Sequence, residues 1–132
     1  MILTNAQIVL ANEVIKGTVV INEGVITHID HGNVSLPGAI DCHNSYLTAG
    51  MVELHTDNME KHFTPRPGVS WPAIQAFKVH DAQMVSAGIT SVFDAVSVGD
   101  VIEVSERLNN LSRMVDALNE SRERGLTRAD HF

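Results

Sequence analysis

His55 and Asp57 close a short apolar run, Gly50-Met51-Val52-Glu53-Leu54-His55-Thr56-Asp57. On an extended strand, side chains at i and i+2 point to the same face. One imidazole and one carboxylate would then aim at a single point, which is half of a metal site. A divalent ion held there can lower the pKa of a bound water and polarise a phosphoryl oxygen. Imidazole and carboxylate suit zinc, with manganese or magnesium as alternatives. The competing reading of the same pair is a surface histidine beside a loop-capping aspartate, because short motifs recur by chance.

The elements that would have to position this pair fall into three regions. Met1 to about Leu47 reads as short strands: Ile2–Leu10, Gly17–Ile21 and Val25–Ile29 are rich in Ile and Val, and Asn22-Glu23-Gly24 is a turn signal. This predicts a small β-meander forming part of a sandwich. A strand at Gly50–His55 then leads into a long loop, Thr56–Val69, holding Pro65, Pro67 and Gly68. Ser70 is a plausible N-cap with Trp71-Pro72 in the first turn, so a helix is predicted to Ser86 with Gly88 as its stop. Ile89–Phe93 is a β-branched strand ending at Asp94. Leu108, Leu111, Val115 and Leu118 form a helical stripe, Glu120 and Arg124 are spaced as an i,i+4 pair, and Gly125 ends that helix. Thr127–Phe132 leads into another strand.

Strands alternating with helices after a β-rich start predict parallel β/α units. The expected fold class is α/β, divided into a sandwich segment at 1–47 and two β/α units at 48–132. A closed barrel of eight units needs about 250 residues. The chain is therefore expected to be the N-terminal portion of a larger enzyme, or else a small degenerate relative, with an open sheet edge and an exposed apolar face.

The 132 residues carry a net charge of -7 with acidic and basic residues interspersed. No basic stripe is available for nucleic acid. No apolar run reaches the roughly 20 residues that span a bilayer, and the N-terminus lacks the basic start of a secretory signal. The one cysteine, Cys42, excludes an internal disulfide and fits a reducing cytoplasm. A homo-oligomer is left open.

The run from Ala49 to Asp57 resembles the first barrel strand of the amidohydrolase superfamily, whose His-x-His mark is here His55-Thr56-Asp57. A longer match, Glu53-Leu54-His55-Thr56-Asp57-Asn58-Met59-Glu60-Lys61-His62-Phe63-Thr64-Pro65-Arg66-Pro67 followed by Val69-Ser70-Trp71-Pro72, is similar to one branch of it. That branch comprises the alpha-D-ribose 1-methylphosphonate 5-triphosphate diphosphatases of the carbon–phosphorus lyase pathway. His80-Asp81-Ala82, Ala87-Gly88-Ile89-Thr90, Asp94-Ala95-Val96, Gly99-Asp100 and Arg128-Ala129-Asp130-His131 also fit. The resemblance implies the N-terminal part of a metal-dependent (β/α)8 TIM-type barrel enzyme, a divalent metal (zinc first), and a small phosphorylated ribose phosphonate as substrate. It also implies that the remaining ligands and the general base lie outside this chain, leaving the chain alone inactive.

Within that frame His55 and Asp57 are the expected metal ligands. Asn58 orients Asp57 or contacts substrate, against an Asx-turn as its ordinary role. Lys61 and Arg66 lie in the loop over the barrel mouth, where a point charge and a bidentate guanidinium would hold phosphate. Pro65 and Pro67 restrict the backbone around Arg66. Asp94, ending the second strand on the same face, is the catalytic candidate, orienting a group of the site, or else it caps the next turn. His62 reads as a loop histidine, His80 as a packing or capping residue, and His131 as bordering the site. His28, His31 and His43 read as surface residues, Cys42 as structural, and Trp71, Phe77 and Phe93 as packing residues. The runner-up functions are another amidohydrolase acting on a cyclic amide or amine, and an inactive truncated module.

Overall fold

A computed structural model describes residues 1–98 and 106–132, the side chains of 106–109 excepted, as two compact units, Met1–Ala49 and Gly50–Phe132. The Gly99-Asp100 motif and the Leu108 side chain of the helical stripe lie outside what is described. The chain is mixed α/β. No helix among the described residues is long and apolar enough to cross a membrane.

The first unit is one five-stranded sheet. β1 (Ile2–Val9), β2 (Val14–Asn22) and β3 (Val25–His31) form an antiparallel meander, and the two-residue strands β4 (Ile40–Asp41) and β5 (Tyr46–Leu47) return parallel to β1. Glu23 and Gly24 both adopt positive φ, 49° and 80°, between the paired residues Asn22 and Val25. That is the twist a two-residue hairpin requires. Ala6, Ile8, Ile15 and Val19 bury one face, with Leu3, Leu10, Cys42 and Leu47 packed around them. His28, His31 and His43 are exposed. The described residues of this unit form a single sheet.

The second unit is a parallel three-stranded sheet in the order β6 (Met51–Thr56), β7 (Ile89–Asp94), β8 (Asp130–His131). α1 (Asn58–Phe63) and α2 (Ala73–Ser86) connect β6 to β7, and α3 (Glu106–Glu123) connects β7 to β8. Gly50 enters β6 against Thr90, whose side chain would collide with any Cβ placed there.

Three helical expectations need correction. The supposed loop at Thr56–Val69 contains α1, because Met59 and Phe63, four residues apart, share one buried face. The second helix begins at Ala73 after Pro72, not at Ser70, and Ser70 instead accepts a hydrogen bond from Arg113. On α3 the buried face is Asn110, Met114, Ala117, Leu118 and Ser121, while Val115 is exposed. Met59, Phe63, Ala76, Phe77, Met114, Ala117 and Leu118 make the helix core. Both predicted helix stops hold. Gly88 takes φ 82° and donates to Val85. Gly125 takes φ 60° and donates to Arg122 while Leu126 donates to Ser121, a Schellman ending. Arg124 pairs with Glu120.

Candidate functional site

Because β6, β7 and β8 run parallel, their carboxyl ends gather on one edge of the sheet, and that edge is where sites of parallel β/α sheets are built. β6 delivers His55 there through a bulge. Glu53 pairs with Val92 and Thr56 with Asp94, so β6 carries one residue more than β7 over this stretch. The backbone N–H of His55 donates to Glu53 Oε1 at 3.0 Å. Thr56 is buried, its carbonyl accepts from Ala95 at 2.8 Å, and its hydroxyl accepts from the Asn58 N–H at 3.2 Å. The His55 side chain is exposed and has no partner among the described residues.

Asp57 is not on the strand. It occupies the N-cap position of α1 with φ −98° and ψ 9°, so the alternation argument ends at Thr56. His55 and Asp57 are both exposed near the end of β6, and their side chains do not bond to each other. Asp57 Oδ1 lies 4.0 Å from Lys61 Nζ, and Lys61 Nζ donates to Asn58 Oδ1 at 2.8 Å. The first turn of α1 thus brings Asp57, Asn58 and Lys61 together. The turn at this strand end is closed by Thr56, not by an Asn58 side chain. Arg66 stands apart, exposed in the turn where Val69 N–H donates to its carbonyl at 3.1 Å. His62 is half-buried and bonds through Nε2 to Gln83 Oε1 at 2.8 Å. Lys61, His62, Pro65, Trp71, Ala76 and Val79 line a cleft of about 170 Å³.

Asp94 has a different environment. Its carboxylate is wholly buried, with Oδ1 2.6 Å from His80 Nε2 and Oδ2 2.7 Å from His131 Nδ1. His131 Nε2 in turn lies 3.2 Å from Asp81 Oδ1. Asp81 also accepts the backbone N–H groups of Arg128 and Ala129, each at 3.0 Å. Burial pushes the Asp94 carboxyl up, but hydrogen bonds and charge from His131 and His80 outweigh it and hold the group below its ordinary 3.8. Burial likewise pushes His131 down, and hydrogen bonds and charge from Asp94 and Asp81 outweigh it and hold the imidazole above 6.5. An ionised carboxylate only accepts, so both nitrogens facing Asp94 carry protons. His80 Nδ1 is buried with no hydrogen-bond partner among the described residues.

His80, Asp94 and His131 place one donor atom each within 4.8 Å of one another, a His–Asp–His set of the type a divalent ion takes. As arranged they serve one another. Ligand atoms about 2.0–2.2 Å from one tetrahedral ion sit roughly 3.3 Å apart, whereas these contacts are 2.6 and 2.7 Å and the carboxylate bridges the two rings. The geometry is that of a buried charge network, and it presents no Asp94 oxygen to solvent. By contrast, among the described residues, His55 offers an exposed imidazole with no partner and Asp57 a carboxylate with one distant cation, a donor chemistry open to an ion.

The residues around Asp94 were the ones missed. The buried residues of α2 are Ala76, Phe77, His80, Asp81 and Met84. A histidine and an aspartate inside an otherwise apolar stripe are the signal that could have found the network. Phe77 is fully buried, against the His80 and His131 rings. Trp71 and Phe93, expected to pack, are 49% and 46% exposed. Trp71 precedes the helix, and Phe93 points opposite to buried Val92 and stacks on Phe132 at the sheet end.

No family model matches the chain. It is 47% identical over 131 residues to the alpha-D-ribose 1-methylphosphonate 5-triphosphate diphosphatase of Escherichia coli (strain K12). The alignment covers 99% of this chain and 35% of that protein, so the chain spans about a third of the length of the curated relative it matches. The likeness carried by the motif from Glu53 to Pro67 therefore extends through nearly the whole chain, and the chain is similar to part of that diphosphatase.

Proposed function

We propose that the chain is the N-terminal part of a metal-dependent hydrolase that releases diphosphate from alpha-D-ribose 1-methylphosphonate 5-triphosphate. In this reading it acts in the cytoplasm, within phosphonate catabolism. Met1–Ala49 contributes to a sandwich, and Gly50–Phe132 supplies the first units of an amidohydrolase barrel. The observation that carries the proposal is the placement of His55 and Asp57, exposed and open to an ion where β6 stops and α1 begins.

His55 and Asp57 would hold the ion, zinc first, with its other ligands supplied from outside the described residues. When bound, the ion supplies an activated water and neutralises charge developing on the phosphoryl oxygens. Asn58 holds the Lys61 ammonium beside Asp57, so that a cation stands within one helical turn of the metal position. Lys61 offers that charge to a phosphate oxygen, and Arg66 offers a planar fork whose backbone the flanking prolines restrict. Asp94, with both oxygens taken by histidines, fixes the ends of the strands instead of meeting substrate.

Titration of the zinc-loaded chain with this triphosphate, followed by ³¹P NMR, tests the assignment. A charge-assisted hydrogen bond is worth about 1.5–3 kcal/mol, so Arg66→Ala and Lys61→Ala should each weaken binding roughly tenfold or more. Binding of a cyclic amide in preference to the triphosphate, or triphosphate affinity equal in both variants and the parent, would refute it.

A further inference from the structure

We propose that His131 is a buried imidazolium clamped between two carboxylates, Asp94 and Asp81, and that this proton locks α2, β7 and β8 together. Removing the proton would unlock the end of the sheet.

The geometry leaves little choice of proton placement. His131 Nδ1 faces Asp94 Oδ2 at 2.7 Å and Nε2 faces Asp81 Oδ1 at 3.2 Å, and the His131 side chain is fully buried. Neither carboxylate can donate when ionised, so each nitrogen must carry a proton to make its bond. A neutral imidazole would leave one nitrogen lone pair against a carboxylate lone pair, at a direct contact of 2.7 or 3.2 Å too short to admit a bridging group. Asp81 is held in place independently, by the N–H groups of Arg128 and Ala129.

The proton therefore sits where three elements meet. Asp81 belongs to α2, Asp94 to β7 and His131 to β8. The bonds from Phe132 N–H to the Val92 carbonyl at 2.9 Å and from Asp94 N–H to the Phe132 carbonyl at 3.1 Å run alongside it. Other titratable and charged groups surround the cluster. His80 on α2 shares Asp94, and His62 on α1 packs its ring 5.7 Å from His80. Arg122 on α3 and Asp130 on β8 line the notch that His131 borders, and Lys78 and Arg128 flank Asp81. Among the described residues His80 bonds only to Asp94, through Nε2, and leaves Nδ1 unpartnered. A second imidazolium there would bury an unsatisfied donor, so the proton belongs to His131.

The sign follows. A proton held more tightly in the folded unit contributes stability that is fully present below pH 6.5 and is lost as pH rises through the folded midpoint above it. Nitrogen-15 NMR of the whole chain reads the protonation state directly. We expect His131 to show two protonated ring nitrogens at pH 6 and to titrate with a midpoint above 6.5. Asp81→Asn should lower that midpoint by about one pH unit or more, because it removes one of two adjacent anions. Amide exchange at Ala129 and Phe132, corrected for its intrinsic pH dependence, should accelerate as His131 deprotonates, and His131→Gln should abolish that pH dependence. A bare ring nitrogen on His131 at pH 6, or a midpoint at or below 6.5 in the unmodified chain, overturns the proposal without reference to any variant. An unchanged midpoint in Asp81→Asn overturns the two-carboxylate clamp.

Discussion

Asp94→Asn separates a structural anchor from a solvent-facing catalytic group. The substitution keeps the volume and one carbonyl oxygen but replaces the second oxygen with an NH₂. Both ring nitrogens facing Asp94 are donors, so one meets an acceptor and the other meets a donor. One charge-assisted hydrogen bond is lost, worth about 1.5–3 kcal/mol, and one buried imidazole N–H is stranded at a further cost of about 1–3 kcal/mol. Their sum agrees with the roughly 3–5 kcal/mol expected when one partner of a buried ion pair is removed. No discount for solvent screening applies, because the side chains of Asp94, His80 and His131 are fully buried. In a domain of 60–100 residues each 1 kcal/mol moves Tm by about 4–8 °C, so Tm should fall by roughly 12 °C or more. The pH dependence adds a second signature. The contribution of Asp94 is present above its unperturbed 3.8 and is lost as pH falls through its depressed folded value. The contribution of His131 is present below 6.5 and is lost as pH rises through its elevated one. The gap between parent and variant should therefore be widest between pH 3.8 and 6.5. Thermal unfolding followed by circular dichroism across pH 3–9 measures it. A Tm drop under about 4 °C near pH 5.5, or a gap indifferent to pH, would refute the reasoning.

Two other substitutions test the packing of the second unit. Gly50→Ala places a Cβ into the Thr90 side chain and should cost about 1–3 kcal/mol by overpacking, read as a lowered urea midpoint; pairing it with Thr90→Ala should recover part of the loss. Phe77→Ala empties a fully buried site against the His131 ring and should cost about 3–5 kcal/mol in the same assay.

Much of the fold was legible because local chemistry and tertiary demand agree. The Ile/Val runs of β1, β2 and β3, the Glu23-Gly24 turn, and the glycine stops at Gly88 and Gly125 are each dictated by a few neighbouring residues. α1 was hidden because Pro65, Pro67 and Gly68 downstream dominate the reading of its segment, although Met59 and Phe63 carry a helical spacing. The face of α3 was misread because Val115 fits a stripe as well as Met114 does, and only the partners supplied by α1 and α2 decide between them. In the site, the end of β6 and the strand-terminal position of Asp94 could be seen from patterning. The role of Asp94 could not, since it depends on His80, 14 residues away, which arrives when α2 packs on β7, and on His131, 37 residues away, which arrives when β7 pairs with β8. Nor could the displacement of Asp57 onto the N-cap of α1, because it follows from the same hidden helix.

Calorimetric titration of the chain with Zn²⁺ measures directly whether the exposed end of β6 holds a divalent ion. His55→Ala and Asp57→Ala should each weaken binding at least about tenfold, as loss of a ligand must cost no less than loss of a group that only orients one, while His28→Ala on β3 leaves it unchanged. Zinc affinity that survives both substitutions, or that fails to distinguish them from His28→Ala, would rule out an ion held by His55 and Asp57.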